Sequence, residues 1–161
     1  MNKNVKAFVF LTFLSIGFLG NFSLASTSKV LDFKFYDAGQ KSYHSTTLRN
    51  DLKSQFGSAH SPMLMLIQTQ SLEDQKYLRQ SKISGSLDAE TLGFLIVTAC
   101  SSEVYKDGYH TDIATAKTLL KDRSEFQVIL LDDRGQILSQ SSQVLSAKKL
   151  KQIILKKREK V

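Results

Sequence analysis

The chain has 161 residues, of which 42% are apolar and 23% charged, with eight Gly, one Pro, one Cys and no Trp. That balance suits one compact domain and excludes collagen-like, low-complexity and disulfide-scaffold classes. The formal charge is +7, and a lone thiol cannot close an intramolecular disulfide, so a packed core has to supply the stability.

The first 25 residues read as an export signal. Lys3 and Lys6 supply the positive start, and no acidic residue appears before Asp32. An apolar stretch runs from Ala7 to Leu19, broken by Thr12, Ser15 and Gly17, and Ser23 and Ala25 are the small residues a signal peptidase accepts. A retained membrane anchor is the competing reading. The stretch is shorter than the ~20 residues a spanning helix needs, and Gly20-Asn21 ends it. No cysteine near the cleavage region marks a lipoprotein. Cleavage after Ala25 leaves Ser26–Val161 as a single domain, lowers the charge from +7 to +5 by removing Lys3 and Lys6, and predicts a periplasmic or extracellular protein with no transmembrane segment.

Val30–Tyr36 alternates, with Leu31, Phe33 and Phe35 on one face and Asp32 and Lys34 on the other, which predicts a half-buried strand. Asp37-Ala38-Gly39-Gln40 is a turn, and Tyr43 begins a short return strand. Thr47 is placed to cap a helix carrying Leu48, Leu52 and Phe56, stopped by Gly57. After Pro62, the run Met63-Leu64-Met65-Leu66-Ile67 is too short for a helix and reads as a strand buried on both faces. Ser71 is expected to cap the next helix, with Glu73 and Asp74 at its positive end and Leu72, Tyr77 and Leu78 facing inward until Ile83.

Phe94-Leu95-Ile96-Val97 is a second continuous apolar strand, ending at Thr98-Ala99-Cys100. Ser101–His110 reads as a loop, and Thr111 or Asp112 caps a helix with Ile113, Ala116 and Leu120 on one face. Phe126–Leu131 is a third strand, Asp132-Asp133-Arg134-Gly135 a tight turn, and Gln136–Gln140 the returning strand. Ser146 caps the last helix, whose buried stripe is Leu150, Ile153 and Ile154. Two buried strands joined by a helix imply a parallel pair with a right-handed crossover, and the closing hairpin adds antiparallel strands. The expected fold class is therefore α/β, a thioredoxin-like mixed β-sheet with helices on both faces.

On that order, the stretch from Pro62 onward resembles an exported bacterial family of unknown function with relatives among vertebrate secreted and matrix proteins. The matching pieces are Pro62–Ile67, Leu72-Glu73-Asp74, Phe94–Val97, Phe126–Gly135 and Lys157-Arg158-Glu159. The resemblance implies a thioredoxin-like fold that lacks the dithiol CxxC motif, and it brings no catalytic residue. Asp32-Phe33-Lys34-Phe35 with Gly39 and Leu48 also looks like the opening hairpin of exported thiol reductases and peroxiredoxins.

In dithiol oxidoreductases the two cysteines follow the first buried parallel strand and open the next helix, whose N-terminus activates the thiol. Here Gln68-Thr69-Gln70-Ser71-Leu72 holds that place, without sulfur, and Glu125-Phe126 stands where such enzymes carry a cis-proline. Cys100 is the one catalytic candidate, as a single-cysteine peroxidase or thiol sensor; its plainer role is that of a small buried hydrophobe. His44, His60 and His110 lack metal-ligand spacing, and His110 with Asp107 and Asp112 is the best remaining cluster. There is no P-loop, no GxGxxG and no nucleophile elbow, so no cofactor and no metal is expected.

The basic end, Lys156, Lys157, Arg158 and Lys160, suits either an anionic membrane surface or a solvated face complementing the helix dipole. Export argues against nucleic acid. The reading is an exported thioredoxin-like protein acting through binding of a protein or small-molecule ligand. A redox enzyme using Cys100 alone and an envelope-associated structural protein are the alternatives.

Overall fold

The computed structural model describes residues 29–52, 61–88, 92–120 and 125–159. Met1–Ala25, Phe56, Gly57 and His60, which carry the export, helix-stop and one histidine reading, lie outside them. In chain order the elements are β1 (Lys34–Tyr36), β2 (Ser42–His44), α1 (Leu48–Asp51), β3 (Met63–Thr69), α2 (Gln75–Gly85), β4 (Phe94–Cys100), β5 (Tyr109–His110), α3 (Ile113–Leu120), β6 (Phe126–Leu131), β7 (Ile137–Ser141) and α4 (Ala147–Arg158). The seven strands form one sheet in the order β2-β1-β5-β4-β3-β6-β7. β3 pairs parallel with β4 and antiparallel with β6, and β6 turns back into β7.

β3 is buried at all seven positions because both of its faces are covered, which is why its sequence runs apolar without alternation. On one face Leu64 and Leu66 meet Phe35, Leu48, Val97, Ala116 and Ile129, beneath α1 and α3. On the other, Met63, Met65 and Ile67 meet Tyr77, Phe94, Leu130, Leu150 and Ile154, beneath α2 and α4. The mixed sheet with helices on both faces is as the hydrophobic pattern requires.

Several local expectations change. Only Lys34–Tyr36 of the first alternating stretch is regular strand, because Val30 bridges Gln136 instead, near the start of β7. Thr47 does not cap α1; its hydroxyl donates to Asp51 Oδ2 at 2.7 Å. Asp74, not Ser71, caps α2, with Oδ1 accepting from Lys76 N at 2.9 Å and Tyr77 N at 3.0 Å. Ser71 is held in a turn before the helix by Thr69, whose hydroxyl donates to Ser71 O at 2.8 Å. The buried stripe of α2 is Tyr77, Gln80 and Ser84, which turns Leu78 to the solvent side, where it is 47% exposed, and α2 continues to Gly85. Tyr109-His110, within the expected loop, is a two-residue strand that joins β4 to β1.

The turn between β6 and β7 depends on Gly135. It has φ +76°, and a Cβ there would lie 2.9 Å from Thr46 Cγ2 and 3.0 Å from Leu31 O. Leu31 N donates to Gly135 O at 2.8 Å, and Ile137 N to Lys29 O at 3.0 Å, so the start of the described chain is fastened to this turn.

The β1–β2 hairpin carries a pH-sensitive contact. Burial, then a 2.9 Å hydrogen bond donated to Asp37 Oδ2, pushes the Tyr43 phenol up to about 12. Asp37 is held below its usual range, first by the Lys41 backbone N–H and also by the Tyr43 hydroxyl. The folded tyrosine has the higher pKa, so its contribution to stability is complete below the unfolded value near pH ~10 and is lost as pH rises through about 12. Phenolate absorbance during an alkaline titration is expected to show a late-ionising step near pH 12 that Tyr43→Phe diminishes.

Candidate functional site

The carboxyl ends of β3 and β4 form the edge at which open α/β sheets bind ligands. Thr69 and Cys100 lie opposite each other there, and Ser101 N donates to Thr69 O at 3.1 Å. The chain between β3 and α2 is tied into two successive turns, since Ser71 Oγ accepts from Glu73 N and Ser71 O from Asp74 N, each at 3.2 Å. No sulfur stands in Gln70–Asp74.

Cys100 is 1% exposed. Its Sγ lies 3.5 Å from Gln70 O and 3.5 Å from Ser102 Oγ, so the thiol abuts this loop from beneath. Neither neighbour is a base. A nucleophilic thiol needs a group that accepts its proton or stabilises the thiolate, and a carbonyl and a hydroxyl do neither well.

Two residues before the thiol on β4, Thr98 is buried with its hydroxyl beside that of Tyr77. Tyr77 Oη and Thr98 Oγ1 are 3.4 Å apart, and the Tyr105 phenol is pushed up by burial first, then by Tyr77 and Asp107. His110, expected in a loop, is 2% exposed, stacks on Tyr36 at 6.0 Å, and sets Nδ1 2.9 Å from Gly108 O. Asp112 caps α3 by accepting from Thr115 N at 2.7 Å. Among the described residues no three His, Cys, Asp or Glu side chains come together as a metal site, so His110, Asp107 and Asp112 do not converge on one. His44 faces solvent 3.8 Å from Asp32.

Sequence reasoning missed the two glutamines that are fully buried among the described residues. Gln68 is fully buried on β3, with neither Oε1 nor Nε2 bonded to protein. Gln80 is also fully buried, but it is saturated: Oε1 accepts from Leu145 N at 2.7 Å, and Nε2 donates to Ser84 Oγ and Leu145 O. Gln80 thereby pins the approach to α4 onto α2. The interruption of an apolar run by Gln68 was the only signal available.

The basic end is tied down in part. Lys157 Nζ pairs with the buried Asp132 Oδ2 at 3.2 Å, and Arg158 donates to Leu92 O. Burial pulls the Arg158 guanidinium below its ordinary pKa. Lys156 faces solvent, and Lys160 lies outside the described residues. Among the described residues no helix is long and apolar enough to cross a membrane.

No family model matches the chain, and no curated protein is similar to it. Solved structures are. The thioredoxin domain of a thiol-disulfide oxidoreductase from Bacteroides vulgatus superimposes with TM-score 0.55 at 14% identity, over 81% of this chain and 96% of that one. An exposed lipoprotein thioredoxin from Streptococcus pneumoniae gives 0.54 at 10% identity, over 78% and 99%. Copper-bound yeast Sco1 gives 0.54 at 11% identity, over 83% and 94%. At such identities the likeness concerns architecture alone, and the chain has a thioredoxin-like α/β fold.

Proposed function

We propose that this chain is an exported thioredoxin-like protein that works by binding a protein or small-molecule ligand, without dithiol exchange. The reading places it with the exported family lacking the dithiol motif that its Pro62–Glu159 pattern resembles. The observation that carries the binding role is the loop Gln70–Asp74. It occupies the position of a catalytic dithiol with serine and carboxylate in place of sulfur, and the chain's one thiol is buried below it. Export rests on the composition of Met1–Ala25, and the fold it shares with an exposed pneumococcal lipoprotein is in keeping with that.

Insulin reduction by the folded protein is expected to stay at background and to be unchanged by Cys100→Ser. Cys100 is expected to react with an aromatic disulfide reagent only after denaturation. Turnover that depends on Cys100 in the folded protein would overturn the binding reading.

One observation favours a second reading. Cys100 Sγ touches Gln70 O, so opening that loop would bring the thiol to the surface at the usual thioredoxin edge. A single-cysteine peroxidase would then consume hydrogen peroxide and give a Cys100 sulfenic acid that a 1,3-diketone traps. An unlabelled thiol after peroxide treatment would remove this reading.

A further inference from the structure

At the opposite end of the sheet, about 20 Å away along the seven residues of β3, lies a cleft of about 450 Å³. Its floor is Pro62 and Met63, and its walls bring together Arg49 from α1, Arg134 from the β6–β7 turn, and Lys157 and Arg158 from the last turn of α4. We infer that this cleft binds a small soluble oxyanion, such as a phosphate or the phosphate group of a metabolite-sized ligand. The inference deepens the binding role proposed above by giving the ligand a class and a place.

Charge decides the class. Four cations line the cleft against two carboxylates, Asp132 and Asp133, and the internal pair of Asp132 with Lys157 leaves three guanidinium groups, those of Arg49, Arg134 and Arg158, against Asp133. Asp132 Oδ1 accepts from Arg134 N at 3.0 Å and Gln136 N at 2.9 Å, and its Oδ2 takes Lys157 Nζ. Among the described residues neither the Arg49 nor the Arg134 guanidinium has a carboxylate within ion-pair distance. Two guanidinium forks from separate elements suit the planar, paired recognition of an oxyanion better than a point charge would.

The competing term is the carboxyl end of α4, which presents about half a negative charge. Arg158 in its last turn, with Arg49 and Arg134 from other elements, outweighs that. The volume falls in the range of small-molecule sites, about 300–1,000 Å³. An apolar floor with cationic walls fits a ligand with one charged group and a compact body.

The test is a titration of the purified protein with inorganic phosphate at constant ionic strength, followed by amide and arginine Nε–H chemical shifts. Saturable shifts are expected at Met63, at Asp133–Gln136 and at the arginine side chains. Arg49→Gln with Arg134→Gln should weaken binding about tenfold or more, a loss of ~1.4 kcal/mol per tenfold, with the remaining amide spectrum unchanged. Shifts that do not saturate, that chloride reproduces, or that persist in the double variant would overturn the inference. So would binding to phosphatidic-acid vesicles without binding to free phosphate, since that would make the partner a lipid surface. None of these readouts involves the thiol, so the inference can fail while the proposed function stands, and the reverse.

Discussion

Replacing Phe35 by Ala is expected to cost about 3–5 kcal/mol, the range for truncating a buried aromatic residue. The ring is fully buried and stacks on Tyr43 at 5.4 Å, with Phe33 at 6.1 Å and Tyr109 at 6.0 Å. It is the contact through which three short strands, β1, β2 and β5, share one apolar layer. Regular pairing between β1 and β5 rests on Tyr36 and His110 alone, so backbone bonds offer little compensation. A cavity there cannot collapse without separating that hairpin from the sheet. The denaturation midpoint should fall sharply, whereas Phe35→Leu should cost about 1–1.5 kcal/mol. Val30→Ala, at a side chain 52% exposed, should change it by less than ~0.5 kcal/mol. A Phe35→Ala protein as stable as the Leu variant would show that the hairpin is held by something other than this cluster.

The second large effect is at Asp132. This carboxylate is 5% exposed and satisfies two backbone N–H groups of its own turn and the Lys157 ammonium. Asp132→Ala strands all three donors, and a loss of about 2–4 kcal/mol is expected. The ion-pair share is discounted because Lys157 is itself 35% exposed. Asp132→Asn retains an acceptor for the turn and should cost about half as much. A double-mutant cycle with Lys157→Met isolates the pair, with an expected coupling of about 1 kcal/mol. The same contact bears on envelope association. Neutralising Lys156, Lys157, Arg158 and Lys160 together would confound loss of surface charge with loss of a structural pair, so Lys156 with Lys148, Lys149 and Lys151 is the informative set.

What could be read from the sequence was whatever is local or periodic. The unbroken run Met63–Ile67 could only be a strand covered on both faces, and Asp132–Gly135 could only be a tight turn, because each depends on neighbours within a few residues. The misreadings come from competing partners, a near neighbour at the helix caps and a residue distant in sequence elsewhere. Ser71 and Asp74 are both good caps, and Thr69 decided between them by holding Ser71 in a turn. Tyr109-His110 is too short to show a period and exists as a strand because β4 and β1 flank it. Lys157 reads as a solvated lysine until Asp132, on another element, is found 3.2 Å away. At the candidate site the absence of sulfur from Gln70–Asp74 was plain from the sequence, and the plainer reading of Cys100 as a small buried hydrophobe agrees with its burial. The burial of His110, expected in a loop, was not legible.

The fastening of Lys29–Leu31 to Gly135–Ile137 has a consequence for the order of assembly. The two segments are more than a hundred residues apart in the chain, yet they exchange backbone hydrogen bonds. Contacts of such separation reward the chain only after its loop-closure entropy has been spent, so they form late. While the chain emerges from the ribosome, β1 and β2 have neither β5 beside them nor the β6–β7 turn beneath them. The segment before β1 therefore has no partner until the final hairpin is available. A polypeptide wired in this way keeps its first described segment unfastened until residue 137 has been made, a delay that the export proposed above would exploit.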